Sequence, residues 1–379
     1  YVPHESWRRS MTRRGYNDDT LNTALLTGTN STGELMGAPM PLYNLDTHDR
    51  HALATYLRTL GSVPDPGVND GELHLATVVA PDAATSDADS VLGVLKSWAG
   101  SARAGNMRWV LHEWRLSGSP KTWEQQLQHF YEKQPVFALL SGAGAASWDN
   151  VHAFCENTRL PCIMPSFYVA PVDKDSHYSM YLSPGVPLEA QILGKYLKSQ
   201  GISGSLAQVY SDAAGKQAAA ELKSLLELSD SVTDVVTREH TTRFDPDTRN
   251  ADTIILWLRP FELEEIMATY PDGLDADTVY LSALLTSPED ISLPAGWRSN
   301  TAFVTLFDDL GLQGEIARLR LERWLTKHGL TSGTNRRLQA DAYAVSHFFN
   351  EALAAIGRQE LRRPEVPLTR EHVLETLED

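Results

Sequence analysis

Residues 135–171, PVFALLSGAGAASWDNVHAFCENTRLPCIMPSFYVAP, hold the spacing in this chain best suited to binding chemistry. Two short apolar runs, 136–140 and 161–164, each break off into small or hydroxyl residues, with a helix-like span, 148–158, between them. A strand, a small-residue loop, a helix, a second strand and a hydroxyl loop make a βαβ unit. Its loops leave the carboxyl ends of parallel strands, the edge at which open α/β sheets take ligands. Small residues there let a ligand approach the backbone, and free N–H groups at a helix start favour an anion such as a carboxylate. The stretch points to a small-molecule site and contains no obvious catalytic group.

The rest of the chain supplies none either. It has no G-x-S-x-G elbow, no P-loop, no H-E-x-x-H and no G-x-G-x-x-G after a strand. GAGAAS has loosely dinucleotide-like glycine spacing, but the acidic residue expected at the end of the next strand is missing. Asp149 and Glu156 fall on a helix, apart from any candidate His. The expectation is a binding protein and not an enzyme.

The elements that must position the unit alternate along the chain. Strands are predicted at 73–81, 107–114, 205–210, 232–239, 253–258, 278–282 and 302–306. Helices are predicted at 87–104, 122–133, 188–200, 214–228, 262–270, 313–328 and 340–356. Strands alternating with helices of this length imply parallel sheets covered on both faces. There are too many for one doubly wound sheet, so the expected architecture is α/β, with two doubly wound parallel-sheet lobes around a cleft. Residues 1–61 read as a small helical module, with helices at 17–27 and 45–60, and GSVPDPGVNDGE supplies a linker over 62–72. Lobe 1 is expected over 73–180 and 308–356, and lobe 2 over 181–307 and 357–379. Crossovers, and therefore hinges, are expected near 173–185, 283–287 and 307–310.

The chain has 379 residues and a net charge of −16, which argues against nucleic acid, whose phosphates it would repel. No run of about eighteen apolar residues is present to span a membrane. Tyr1 is not an initiator residue, so the chain reads as processed or clipped ahead of it. Cys155 and Cys162 fall at a helix end and a strand start, positions that can lie within disulfide range. Two readings stand: a local bridge in an exported protein, or two buried thiols. A metal site is not indicated, because no second pair of ligands has matching spacing.

From Leu73 onward the chain resembles the type I periplasmic binding proteins, the Leu/Ile/Val-binding family of ABC-transporter receptors. Besides element order, three patterns carry the resemblance. LLSGAGAASW is similar to the family's small-residue loop after the third strand, and IMPSFYVAP to its strand and Pro-Ser loop. LGKYLKSQGISGSLAQVYSDAAGKQAAAELKSLL resembles the opening of its second lobe. By position the resemblance gives Ser141, Gly142 and Ala143 as amide and hydroxyl donors to a carboxylate, and Ser166, Phe167 and Tyr168 as the facing loop. Tyr210, Asp212, Trp257, Arg259 and Ser282 would close the cleft from the other lobe. A zwitterion needs donors for its carboxylate and an acidic partner for its ammonium, and Asp212 is the candidate for the second, or else a helix cap.

The family implies a periplasmic monomer that captures a small polar ligand, an amino acid or related carboxylate. The closed form would be read by ABC-transporter membrane subunits or a sensor. The family usually continues some tens of residues beyond the helix at 368–377.

GAPMPLYNLDTHDRHALATYLRTLG resembles the C-terminal half of a class I cytochrome c, a Met-Pro loop before an Asp-capped helix. The resemblance makes Met40 the axial haem ligand and Met36 a weaker candidate. No C-x-x-C-H is present, so no cofactor is expected in this chain, and two readings stand: a longer native chain that could carry haem c, or a haem-free helical cap with Met40 in its core. The alternative role it raises is a ligand-sensing or electron-transfer partner of a periplasmic dehydrogenase. His4, His48 and His51 read as surface groups.

Overall fold

The computed structural model describes residues 16–37, 41–59, 64–69, 71–101, 103–104, 107–144, 148–171, 176–201, 204–227, 232–241, 243–288, 291–306, 311–330, 335–360 and 368–378. The chain divides into two compact units, one of residues 1–65 with 364–369 and one of residues 66–363 with 370–379. In the first unit, α1 (Asp18–Thr27) starts from an Asn17–Thr20 capping box and ends on Gly28 in the left-handed region. The polar helix α2 (Thr47–Thr59) follows it. Met36 of this unit takes a hydrogen bond on sulfur from the Tyr16 hydroxyl at 3.8 Å, whereas Met40 and His4 lie outside the described residues.

The larger unit opens on β1 (Val68–Asn69), which pairs antiparallel with β2 (Glu72–Val79). The second half of the expected linker therefore belongs to the sheet. Gly67 makes this possible: its φ is +91°, and a Cβ there would come within 2.1 Å of the Phe137 nitrogen. Next come α3 (Thr85–Ser101), β3 (Arg103–Ala104), β4 (Met107–Arg115), α4 (Trp123–Lys133), β5 (Ala138–Leu140), α5 (Asp149–Thr158), β6 (Cys162–Ile163) and β7 (Ser179–Met180). Among the described residues the sheet runs β3-β4-β2-β5-β6-β7, with β1 on β2, and the β4-β2-β5-β6-β7 pairings are parallel. Two tryptophans on β4, an odd number of positions apart, point to opposite faces. Trp114 meets Phe130 of α4 and Phe154 of α5, while Trp109 meets Phe349 of the long helix described next.

The second sheet is built from α6 (Val186–Ser199), β8 (Gly204–Tyr210), α7 (Ala213–Glu227), β9 (Val232–Glu239), α8 (Pro246–Arg249), β10 (Thr253–Trp257), α9 (Pro260–Thr269), β11 (Thr278–Ser282), α10 (Ala283–Thr286) and β12 (Thr301–Val304). Its order is β12-β11-β10-β8-β9, all parallel. β10 is buried throughout, with Ile255 and Trp257 packed toward α6 and α7 and Ile254 and Leu256 toward α9. Each such fully buried side chain contributes roughly 1.5–3 kcal/mol. The chain then returns through α11 (Gly311–Lys327), α12 (Arg336–Glu360) and α13 (Arg370–Glu378).

The first crossover is anchored by a Val169–Gly185 bridge and by the Val186 amide donating to the Tyr168 carbonyl at 2.8 Å. Residues 283–287 are not a crossover: they form α10, and β12 then stays in the same sheet beside β11. Residues 307–310 lie outside the described residues, between β12 of the second sheet and α11, whose Trp324 packs on Trp98 of α3.

The C-terminal helix departs from expectation. Residues 370–378, read with lobe 2, pack on the first sheet's side instead. Buried Arg370 donates to the carbonyls of Val136 (2.6 Å), Arg159 (3.1 Å) and Pro66 (3.3 Å) and to the Tyr131 hydroxyl (3.0 Å). One guanidinium thus satisfies three main-chain acceptors that no strand reaches. Arg370→Ala is expected to cost about 2–4 kcal/mol, read as a lower urea midpoint at unchanged slope. A loss below about 0.5 kcal/mol would show that the helix is held otherwise.

Candidate functional site

At the carboxyl edge of the first sheet, β5 does not end where its apolar run ends. Isolated bridges join Val79 to Ala143 and Ala143 to Ser166, so pairing continues through the small-residue loop. Its amides are spent on that pairing: Ser141 donates to Ile163 (2.9 Å), Ala143 to Val78 (2.9 Å) and Ser166 to Gly142 (3.1 Å). Of the three amides expected to be free for a ligand, those of Ser141 and Ala143 are therefore corrected. The small residues have another physical reason. A Cβ on Gly142 or Gly144 would lie 3.0 Å from the Trp148 ring, so the loop is small to make room for an indole. Phe167 stacks on that indole (6.3 Å between centroids) and meets Tyr181 edge-on, which places it in the first core and not on a ligand wall. Left over at this edge are the hydroxyls of Ser141 and Ser166, both buried without a hydrogen-bond partner. Ser141 is held at φ +52°, a conformation L-residues adopt at a cost.

The second sheet's residues sort differently. Trp257 is fully buried and donates through Nε1 to Gln208 (2.9 Å), so it is core. Ser282 is equally buried, its hydroxyl bonded to Glu189 and accepting from the Leu285 amide (3.1 Å), so it caps α10 rather than lining a cleft. Tyr210 is half-buried, and its carbonyl accepts from His240 at 2.7 Å. Asp212 caps α7, with Oδ1 accepting from the Gly215 amide at 2.8 Å. Its Oδ2 takes both Nε (2.8 Å) and Nη2 (2.6 Å) of Arg259. That carboxylate is already compensated, which removes it as a ready partner for an ammonium.

Tyr168 draws these groups together. The guanidinium carbon of Arg259 lies 3.5 Å from the centre of its ring, and that of Arg337 lies 5.3 Å away. Arg337 stands in the first turn of α12 and pairs through Nη1 with Asp341 at 3.1 Å. Burial pushes the Asp341 carboxyl up, against the pull of Arg337. Neither Arg337 nor Glu189 carries a sequence signal: one is half of an Arg-Arg pair, the other a Glu in an ordinary helical turn. Arg259 could be read only as a strand-end residue before a proline.

Glu189 is a second raised acid of the cluster. Fully buried on α6, it is pushed up to about 7 by desolvation, against the opposing pull of the Ser282 hydroxyl, the Leu284 amide and the Arg337 charge. Cys155 and Cys162 form a disulfide with Cα atoms 6.1 Å apart, fastening the last turn of α5 to β6. Among the described residues no group of three or more His, Cys, Asp or Glu could hold a metal. A cavity of about 380 Å³, lined by Met164, Phe348, Glu351 and Leu377 among others, contains none of the candidate residues.

Tyr168 follows β6, Asp212 follows β8 and Arg259 follows β10, so carboxyl-end loops of both sheets meet at one ring. The chain is similar in fold to several solved structures. A leucine-binding protein from Thermotoga maritima matches with a TM-score of 0.59 and 15% identity, over 80% of this chain and 87% of that one. A solute-binding protein of an ABC transporter from Rhodopseudomonas palustris BisB5, in complex with 3,4-dihydroxybenzoic acid, gives 0.60 at 13% identity, over 80% and 84%. A fatty acid ABC transporter substrate-binding protein from Thermomonospora curvata gives 0.60 at 15% identity, over 84% and 83%. The fold is that of the type I periplasmic binding proteins. No family model and no curated protein matches the chain.

Within a type I periplasmic binding protein fold the two sheets are two lobes. Glu189 then belongs to the second lobe, near the ring on which the loops converge. Because its folded-state value is raised, the folded protein binds more protons than the unfolded chain, so its contribution to stability falls as pH rises from about 4.5 through about 7. Glu189→Gln keeps the shape and removes the titration. Above pH 8 the variant is expected to gain roughly 3 kcal/mol on wild type relative to pH 4.5. Parallel stability curves from denaturant melts across that range would refute this.

Proposed function

We propose that the chain is a solute-binding receptor that encloses a small polar ligand, an amino acid or related carboxylate, between its two lobes. It works as a periplasmic monomer, and its closed form is read by the membrane subunits of an ABC transporter or by a sensor. The observation that carries this reading is the meeting of carboxyl-end loops from both sheets at Tyr168, Asp212 and Arg259. Binding there couples directly to the angle between lobes, because the crossover bridge Val169–Gly185 begins at the next residue.

Three further features support it. The buried disulfide fits an oxidising compartment. No helix among the described residues is long and apolar enough to cross a membrane. Relatives of the same fold are named for leucine, 3,4-dihydroxybenzoic acid and fatty acid, all of which carry a carboxylate. The reading asks for no bond to be made or broken and for no cofactor within the lobes.

The test is calorimetry and thermal melting of the full chain against amino acids, aliphatic and aromatic acids, sugars and short peptides. At least one acid-bearing compound is expected to release or absorb heat, and at 100-fold excess over its Kd to stabilise the fold by about 2.7 kcal/mol. Arg259→Ala is expected to weaken that ligand by about tenfold or more, because it unties Asp212 from Tyr168. Silence across the whole panel would sink the proposal.

A further inference from the structure

Hydrogen-bond accounting around Tyr168 leaves a specific vacancy. Arg337 uses Nη1 on Asp341 and lies within reach of the Tyr168 hydroxyl, whereas its Nε and Nη2 are shut off from solvent and make no hydrogen bond of good geometry. Those two N–H groups form the side-on face of a guanidinium, the face that matches the two oxygens of a carboxylate. A buried donor pair left unmade costs stability, and a folded protein keeps one where something else fills it. Nearby hydroxyls in the same condition add to the pattern: Ser166, two residues before Tyr168, and Ser211, beside Asp212, are also buried and unpartnered.

The acceptor side shows the opposite. Asp212 is held by Arg259 and the Gly215 amide, Glu189 by Ser282 and the Leu284 amide, and Asp341 by Arg337. An ammonium entering this cluster would meet carboxylates whose charge a guanidinium or hydrogen bonds already offset, whereas a carboxylate would meet donors that are unfilled. We propose that Arg337 determines specificity by taking the ligand's carboxylate on its Nε–Nη2 face, and that the ligand is a carboxylic acid bearing no ammonium group. The inference rests on the solute-binding reading and narrows it from amino acids or carboxylates to the second.

The experiment uses matched pairs on the full chain at pH 7: 4-methylpentanoate with leucine, 3-phenylpropanoate with phenylalanine, and butanoate with 2-aminobutanoate. Wild type, Arg337→Gln and Arg337→Lys are titrated by calorimetry, with circular dichroism to verify folding. Arg337→Lys keeps the charge that Asp341 needs and loses the planar fork, so it tests the geometry even where the Gln variant does not fold. An acid is expected to bind at least about thirtyfold more tightly than its amine-bearing partner, and to weaken by about tenfold or more in the folded Lys variant. Tighter binding of an amino acid, or an acid affinity indifferent to Arg337→Lys, would overturn this inference and leave the receptor reading standing. Binding of neither member of any pair, with silence from the sugars and peptides as well, would overturn both.

Discussion

The contact between Tyr168 and two guanidiniums is the constraint on which the rest of the large unit turns. Tyr168 leaves the first sheet, takes Arg259 against its ring, and hands the chain to the second sheet through Val169 and Val186. Its side chain is counted with the second sheet's core, beside Val186, Ala190 and Tyr210. A cation over an aromatic face is worth about 0.5–2 kcal/mol, rising with desolvation. Such an energy is small beside a domain core, but comparable with the free energies that separate open from closed states. Each guanidinium brings its own carboxylate, Asp212 for Arg259 and Asp341 for Arg337, because a charge taken from water must be paired.

The small-residue loop shows how one sequence pattern can serve two physical ends. LLSGAGAASW has the composition of a ligand-approach loop, yet Gly142 and Gly144 are small because Trp148 lies against them. The pairing of Ala143 with Val79 and Ser166 extends the sheet past the apolar run. That extension consumes the amides of Ser141 and Ala143 and spares the hydroxyls. A loop stiffened in this way presents Ser141 and Ser166 on a fixed frame.

Periodicity made the alternating strands and helices legible, since each buried parallel strand is a continuous apolar run and each covering helix an amphipathic one. Ser179–Met180 escaped notice because a two-residue strand has no period, and α10 because a four-residue helix has none either. Helix α13 was placed on the wrong lobe for a different reason. Its position is set by one buried arginine reaching carbonyls up to 304 residues away, and no local pattern encodes that reach. Among the candidate side chains, type and strand-end position were readable but direction was not. Trp257 and Ser282 stand at the ends of β10 and β11, as Tyr210 does at the end of β8, yet both turn into the core. Arg337 lies about 170 residues from Tyr168, where only the fold could bring it.

The two edges of the cleft differ in how far their polar groups are satisfied. On the second lobe, Asp212, Glu189 and Ser282 are all bonded to their own neighbours, and the Ser211 hydroxyl is left over. On the first-lobe side, the hydroxyls of Ser141 and Ser166 remain unmatched, as does the fork of Arg337. A ligand supplying acceptors to that edge would cancel its desolvation cost all at once. The second lobe, its carboxylates Asp212 and Glu189 already bonded, would keep those bonds on moving toward it. On the proposed receptor reading, closure would be driven from the first-lobe edge, and the crossover at Tyr168 would be the point at which that gain becomes motion.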